Sequence, residues 1–340
     1  MHMADALLSP VVGGAFWAVS AGMIGWSAKK ISNEADGSKT VLMGVLGAFV
    51  FAAQMINFTI PGTGSSGHLG GGLLLTVLLG PWRAFITLAS VLVIQALFFA
   101  DGGLLALGCN IFNMAFLPSF IAWPFIYRTI AGVSSSQARI AAGSISAATA
   151  GLLMGAMSVV LQTTLSAISD LPFSTFILFM LPIHLAIGIV EGVVTWGVLT
   201  FVARNEPALL AGSAKPSRIR MVATGLVILA MATGGVLSWF ASSYPDGLEW
   251  SMAKTSGKEE LSSTEEPLHA ILASAQERLA FLPDYDFRNK SKMTEETNAS
   301  PSPVNVGTSL SGLLGSFLVL LLAGSTGFLL RKRAAETAHS

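Results

Sequence analysis

Long apolar runs separated by short polar stretches set the layout of this chain. Runs of about 17–25 apolar residues cross a bilayer as helices. Seven such runs are read in the first two thirds, near 11–28, 40–59, 68–80, 84–99, 103–126, 139–166 and 173–203. The third is short, and Pro81, Trp82 and Arg83 separate it from the fourth. The charges favour two short spans there over one re-entrant hairpin. A polar, proline-containing stretch at 204–220 follows the seventh run. An eighth run covers 221–241, and a hydrophilic segment, 242–307, leads to a ninth run at 308–330. Arg331, Lys332 and Arg333 close it.

Basic residues gather in cytoplasmic loops of membrane proteins. Lys29, Lys30 and Lys39 follow the first run and Arg83 the third. Arg128 and Arg139 follow the fifth; Arg204, Lys215, Arg218 and Arg220 follow the seventh. The intervening loops 60–67, 100–102 and 167–172 contain no Lys or Arg. This alternation predicts an external N-terminus and, after nine crossings, a cytoplasmic C-terminus. The predicted organisation is a seven-span unit (1–203), a cytoplasmic linker (204–220) and a two-span unit (221–340) with an external loop. Within that loop, 290–302 reads as disordered by composition.

Composition agrees. The chain is 52% hydrophobic and 11% charged, against about 25% charged in soluble domains. A net charge of zero gives no electrostatic footprint for nucleic acid. The single cysteine, Cys109, excludes an intrachain disulfide and a cysteine-based metal cluster. The predicted fold is an all-α integral membrane protein.

Chemistry concentrates at the predicted external face. The start, MHMADALLSP, lacks the basic residues of a signal peptide. It carries His2 and Asp5 instead. A histidine at position 2 offers three nitrogens: the Met1 amine, its own amide and its imidazole. Amine and amide close a five-membered ring on a metal; amide and Nδ1 close a six-membered one. The His68 imidazole, in the outer loop PGTGSSGHLGGG, completes four nitrogens in a plane. Such coordination suits Ni(II) or Cu(II). It requires loss of the amide proton, so it strengthens as pH rises. Gly62, Gly64, Gly67, Gly70, Gly71 and Gly72 give the loop backbone freedom, and Pro61 stiffens its entry. His269 and His339 are expected in solvent.

Polar residues within spans face the bundle interior. Gln54 and Asn57 share one face of the second span, and Asn110 and Asn113 one face of the fifth. His184 and Glu191 lie two turns apart on the seventh. These six are candidates to orient metal ligands from behind, or to bond helix to helix. Gly64-Ser65-Ser66-Gly67 raises a rival reading. It matches the GxSG pattern of rhomboid-type intramembrane serine proteases, with Ser66 as nucleophile and His184 as base. No ring of like charges marks a pore.

The start resembles the MHIPDGFLSP-type opening of the nickel/cobalt substrate-binding components (NikM/CbiM) of energy-coupling-factor transporters. NFTIPGTGSSGHLGGG, GGLLALGCNIFNMAF and LPIHLAIGIVEGVVT resemble further motifs of that family. SSYPDGLEWSMAKT resembles the PDGLE signature of the small companion subunit, NikN-like and here fused. The resemblance implies a seven-helix substrate-specific (S) bundle plus a two-helix module in a bacterial or archaeal plasma membrane. It implies uptake of Ni²⁺ or Co²⁺, for a nickel enzyme or for cobalamin synthesis. The cation is cargo; no cofactor is implied. The partners implied are a transmembrane coupling (T) subunit and two ATP-binding-cassette ATPases. The absence of a P-loop fits that division of labour, with no catalytic residue in this chain. The family holds its metal through the residues matching Met1, His2 and His68. Met3 and Ala6 depart from the usual start and leave those ligands in place. The quoted motifs place no counterpart for the segment 257–307.

Overall fold

Pro10 opens the first long helix of the computed structural model, which describes residues 1–34, 39–132, 136–210, 216–258, 266–288 and 305–337. This helix, α1 (Pro10–Ser32), is capped by Ser9, whose hydroxyl accepts from the Val12 N–H. Proline at the first helical position costs no hydrogen bond. Lys29 and Lys30 close the last turn, where positive charge complements the helix dipole. At about 1.5 Å per residue, α1 is long enough to cross a bilayer.

Helix α2 (Leu42–Gln54) is buried on all sides, as expected of a helix at the centre of a bundle. A β-hairpin follows, with strands β1 (Phe58–Ile60) and β2 (Ser65–Gly67) paired antiparallel, Thr59 opposite Ser66. The chain is therefore helical but not wholly so. The hairpin forms where β-branched Thr59 and Ile60 meet a turn that begins with Pro61.

Helices α3 (Gly72–Leu79) and α4 (Pro81–Phe98) come next. The expected third span shrinks here. Eight residues rise only about 12 Å, well short of the roughly 30 Å hydrocarbon core. Its first residues stay in the loop because Gly71 takes a left-handed conformation (φ +75°). Any side chain there would be strained, and its Cβ would lie 2.6 Å from Val50.

Helix α5 spans Leu107–Ala131. Between Phe112 and Tyr127 it has wide, i→i+5 turns around Pro118 and Pro124. Proline lacks the N–H for a regular turn, and such wide turns accommodate it. Helices α6 (Gln137–Ser166) and α7 (Phe173–Asn205) pack along each other. Helix α8 (Pro216–Gly235) and the terminal helix α11 (Val306–Thr337) pack against α2, and the Ser316 hydroxyl donates to the Ala48 carbonyl. Between them lie α9 (Gly247–Ser256) and α10 (Pro267–Leu279), then a 3₁₀ turn at Pro283–Tyr285. Among the described residues, six helices are long and apolar enough to cross a membrane: α1, α4, α5, α6, α7 and α11.

The C-terminal end of α1 meets the start of α4. Arg83 pairs with Glu34 and Thr40, and Lys30 lies over the Trp82 ring. The region 290–302 and His339 lie outside the described residues. His269 departs from its expected place in solvent: it is buried, with Nε2 2.9 Å from the Leu8 carbonyl and 3.2 Å from that of Asp5. Two carbonyls of the N-terminal segment supply what water would have supplied.

Candidate metal centre

The N-terminal segment is tucked into the protein. Met1, Met3, Leu7 and Leu8 are all buried. Met3 is held like a strand residue: its N–H donates to Asn110 Oδ1 (2.8 Å), and its carbonyl accepts from Gly103 N–H (2.9 Å) and Asn110 Nδ2 (3.2 Å). Asp5 accepts from the Ala106 N–H at 2.9 Å. The receiving loop turns at Gly102 (φ +84°), where a Cβ would lie 2.8 Å from Asn110 Nδ2.

This tucking carries the Met1 amine to 3.2 Å from His68 Nε2. The same amine donates to Asp246 Oδ2 at 2.7 Å. The His2 and His68 rings stack with centroids 5.2 Å apart and planes 18° from parallel. Residues far apart in the sequence thus meet at one point.

Hydrogen bonds set the tautomers. His68 Nδ1 lies 3.1 Å from the Leu69 carbonyl, which only accepts. Nδ1 therefore carries the hydrogen, and the Nε2 lone pair faces the amine. A longer chain acts on His2. The Gly70 carbonyl accepts from Gln54 Nε2 (2.9 Å), Gln54 Oε1 accepts from Gln95 Nε2 (2.9 Å), and Gln95 Oε1 lies 3.2 Å from His2 Nε2. Each amide is oriented by the one before it, so His2 Nε2 carries the hydrogen. Its Nδ1 keeps a lone pair.

That Nδ1 lies 3.1 Å from Asp101 Oδ1, and Tyr285 donates to Asp101 Oδ2 at 2.5 Å. Burial, then the charge of the amine, lowers both His2 and His68 to about 3. Burial thus favours the neutral form of both rings, the form that binds a cation. Burial raises the Asp101 carboxyl, which makes it the group able to carry the proton of its contact with His2. Burial pushes Asp246 up as well, but the amine and His68 outweigh it and hold it well below the usual carboxylate range.

The six supporting candidates have different fates. Gln54 acts on His2 through Gln95. Asn110 holds Met3, and Asn113 bonds Gln162 (2.8 Å) beside the Met3 sulfur. Glu191 reaches from α7 to accept from the Gly70 and Gly71 N–H groups (2.9 and 3.1 Å), fixing the backbone just after His68. His184 donates through Nδ1 to the Met180 carbonyl (2.8 Å) and lines a small pocket with Met1, His68 and Asp246. Asn57 does not share a helix face with Gln54, because α2 ends at Gln54. Its carbonyl accepts from the Ser242 N–H instead. The protease pair is not formed. The Ser66 hydroxyl donates to the Tyr244 carbonyl at 2.7 Å, and no hydrogen bond joins it to His184 among the described residues.

Gln95, Asp101 and Tyr285 were missed from sequence. Gln95 is an amide inside an apolar run, so the rule that selected Gln54 also selects it. Asp101 sits in a loop free of basic residues. Tyr285 carries no sequence signal, since its role comes from a loop folding back.

The apolar helices are those of a multi-pass membrane protein, and its relatives place it in the metal-transport class. The family described as the cobalt uptake substrate-specific transmembrane region matches residues 2–209, and the PDGLE domain matches 220–332. The chain belongs to this CbiM family of nickel/cobalt transport proteins and carries a fused PDGLE domain. A putative fused nickel transport protein NikMN of Archaeoglobus fulgidus is 32% identical over 98% of this chain and 99% of its own length. A cobalt transport protein CbiM of Geobacter sulfurreducens is 30% identical over 62% of each chain. A crystal structure of a truncated transition metal transporter superposes with a TM-score of 0.53 at 31% identity, covering 60% of this chain and 99% of that one. None of these relatives is a protease.

Proposed function

We propose that this chain is the substrate-capture component of an energy-coupling-factor importer, with Ni²⁺ as cargo and Co²⁺ as the second choice. The observation that carries the reading is the approach of the Met1 amine to His68 Nε2 at 3.2 Å, with His2 stacked alongside. Metal–nitrogen bonds of about 2.0–2.1 Å place neighbouring corners of a square about 2.9 Å apart. The amine and His68 are already close to that spacing. The His2 amide and Nδ1 supply the other two corners once the ring turns from Asp101 and the stack opens. Four nitrogens in a plane, one a deprotonated amide, favour Ni(II). The reading takes Met1 as the mature N-terminus, which intact mass measurement checks.

In this reading α1–α7 form the seven-helix capture bundle, and α8 and α11 form the companion module beyond the linker 204–220. The N-terminus and the metal site face outward, and the C-terminus faces the cytoplasm of the plasma membrane. A transmembrane coupling subunit and two ATPase subunits drive inward release. The test is uptake of radioactive nickel by cells expressing the chain with and without those partners. ATP-dependent accumulation that disappears in His68→Ala supports the reading. Accumulation unaffected by His68→Ala overturns it.

A further inference from the structure

The C-terminal module reaches the Met1 amine itself through the Asp246 side chain. Asp246 stands at the start of α9. Its Oδ1 accepts from the Leu248 and Glu249 N–H groups (2.8 and 2.9 Å) and caps the helix. The Glu249 carboxylate returns to the Asp246 N–H at 3.0 Å. That capping box commits one carboxylate oxygen to the helix and leaves Oδ2 free to point outward. Oδ2 receives the Met1 amine at 2.7 Å and lies 3.9 Å from His68 Nε2.

The turn bearing Asp246 is stitched to the hairpin that precedes His68. The Pro245 carbonyl accepts from the Ser66 N–H (2.8 Å), and the Asn57 carbonyl accepts from the Ser242 N–H (2.7 Å). The Tyr244 carbonyl accepts from the Ser66 hydroxyl, and Trp250 Nε1 donates to the Thr63 carbonyl at 3.0 Å. The carboxylate and His68 are therefore held on one frame, with the amine between them.

We infer that Asp246 is a positioning residue for metal capture: it holds the Met1 amine beside His68 and remains its hydrogen-bond acceptor when a divalent cation is bound. This rests on the reading that the amine is a ligand. A primary amine bound to a metal keeps two N–H groups, so the contact survives loading. The carboxylate also supplies negative charge next to a buried cation, where two imidazoles supply none. Desolvated charge is costly unless paired. The C-terminal module thus completes the site instead of only packing on the bundle.

The test uses the full-length protein and Asp246→Asn. Asparagine caps a helix as well as aspartate does, so this variant keeps the cap and loses the charge. Nickel affinity, the visible absorption band of bound Ni²⁺ and the melting temperature are measured. The expected result is a cooperative melt at a somewhat lower temperature, because the amine–carboxylate pair is lost, an unchanged band and affinity lower by at least about tenfold, the scale of a charge-assisted hydrogen bond. Asp246→Ser, another neutral cap, is measured in parallel in case asparagine disturbs folding. Parent-like affinity in a folded neutral variant overturns the inference. A shifted band overturns it too, because it makes Asp246 a direct ligand. His68→Ala separates the two claims. If it binds nickel normally, the parent reading fails; if it does not bind while Asp246→Asn binds normally, only the role of Asp246 fails.

Discussion

The Gln95 side chain lies between His2 and Gln54, its oxygen 3.2 Å from His2 Nε2 and its nitrogen 2.9 Å from Gln54 Oε1. This relay begins at a backbone carbonyl and ends by choosing which His2 nitrogen is available to a metal. Partners behind metal-bound histidines typically contribute about 10–100-fold in affinity. Gln95→Met keeps the volume and removes both hydrogen bonds. Nickel titration of the purified variant should show affinity lower by that factor. Unchanged affinity would mean that the relay does not orient His2.

Glu191 offers a second test from inside the bundle. Its two oxygens take the Gly70 and Gly71 N–H groups. Glu191→Gln keeps one acceptor and turns an amide NH₂ toward the other donor. An unpaired buried donor costs about 1–3 kcal/mol. The variant should melt at lower temperature in detergent and bind nickel more weakly, because the backbone after His68 loosens. A melting curve matching the parent would show that the two bonds do not hold this loop.

Tyr285 tests the strap contributed by the segment between α10 and α11. Its ring stacks on Phe99 with centroids 5.0 Å apart, and its hydroxyl reaches Asp101. Tyr285→Phe preserves the stack and leaves one Asp101 oxygen without its donor. A loss of about 1–3 kcal/mol in stability follows, read by denaturation of the metal-free protein. No loss would place Asp101 in contact with water.

The pH dependence distinguishes this site from an ordinary pair of histidines. Unperturbed histidine loses its proton near 6.5. His2 and His68, lowered to about 3 by burial and the amine charge, have already lost theirs at pH 5. Protons compete with the cation for the amine and the amide, so affinity should rise with pH. Nickel titrations from pH 5.5 to pH 8 should rise without an inflection near 6.5. An inflection there would show that the imidazoles are protonated in the empty site.

Much of this arrangement was legible in the sequence, for definite reasons. Charge alternation alone puts His2 and His68 on the same side, and the structure brings their rings together. Periodicity placed Asn110 and Asn113 on one face because α5 is continuous through both. It failed for Asn57, because hydrophobicity runs past Gln54 while the helix does not. It failed for the third span because backbone conformation at Gly71, not apolarity, decides where α3 begins. Burial of His269 was invisible, since its partners are backbone carbonyls that carry no residue signature. The meeting of Met1 with Asp246 joins residues 245 positions apart, and no local pattern reports such a contact.

The central claim is that the Met1 amine binds the metal. One residue added ahead of Met1 moves the amine away and leaves His2 and His68 unchanged. Nickel affinity of the purified, extended protein, with its N-terminus verified by intact mass, is the direct measurement. The amine–amide chelate predicts that binding is lost while the metal-free protein still melts cooperatively, at a temperature lowered by the loss of the amine–Asp246 pair. Binding at parental affinity would contradict it.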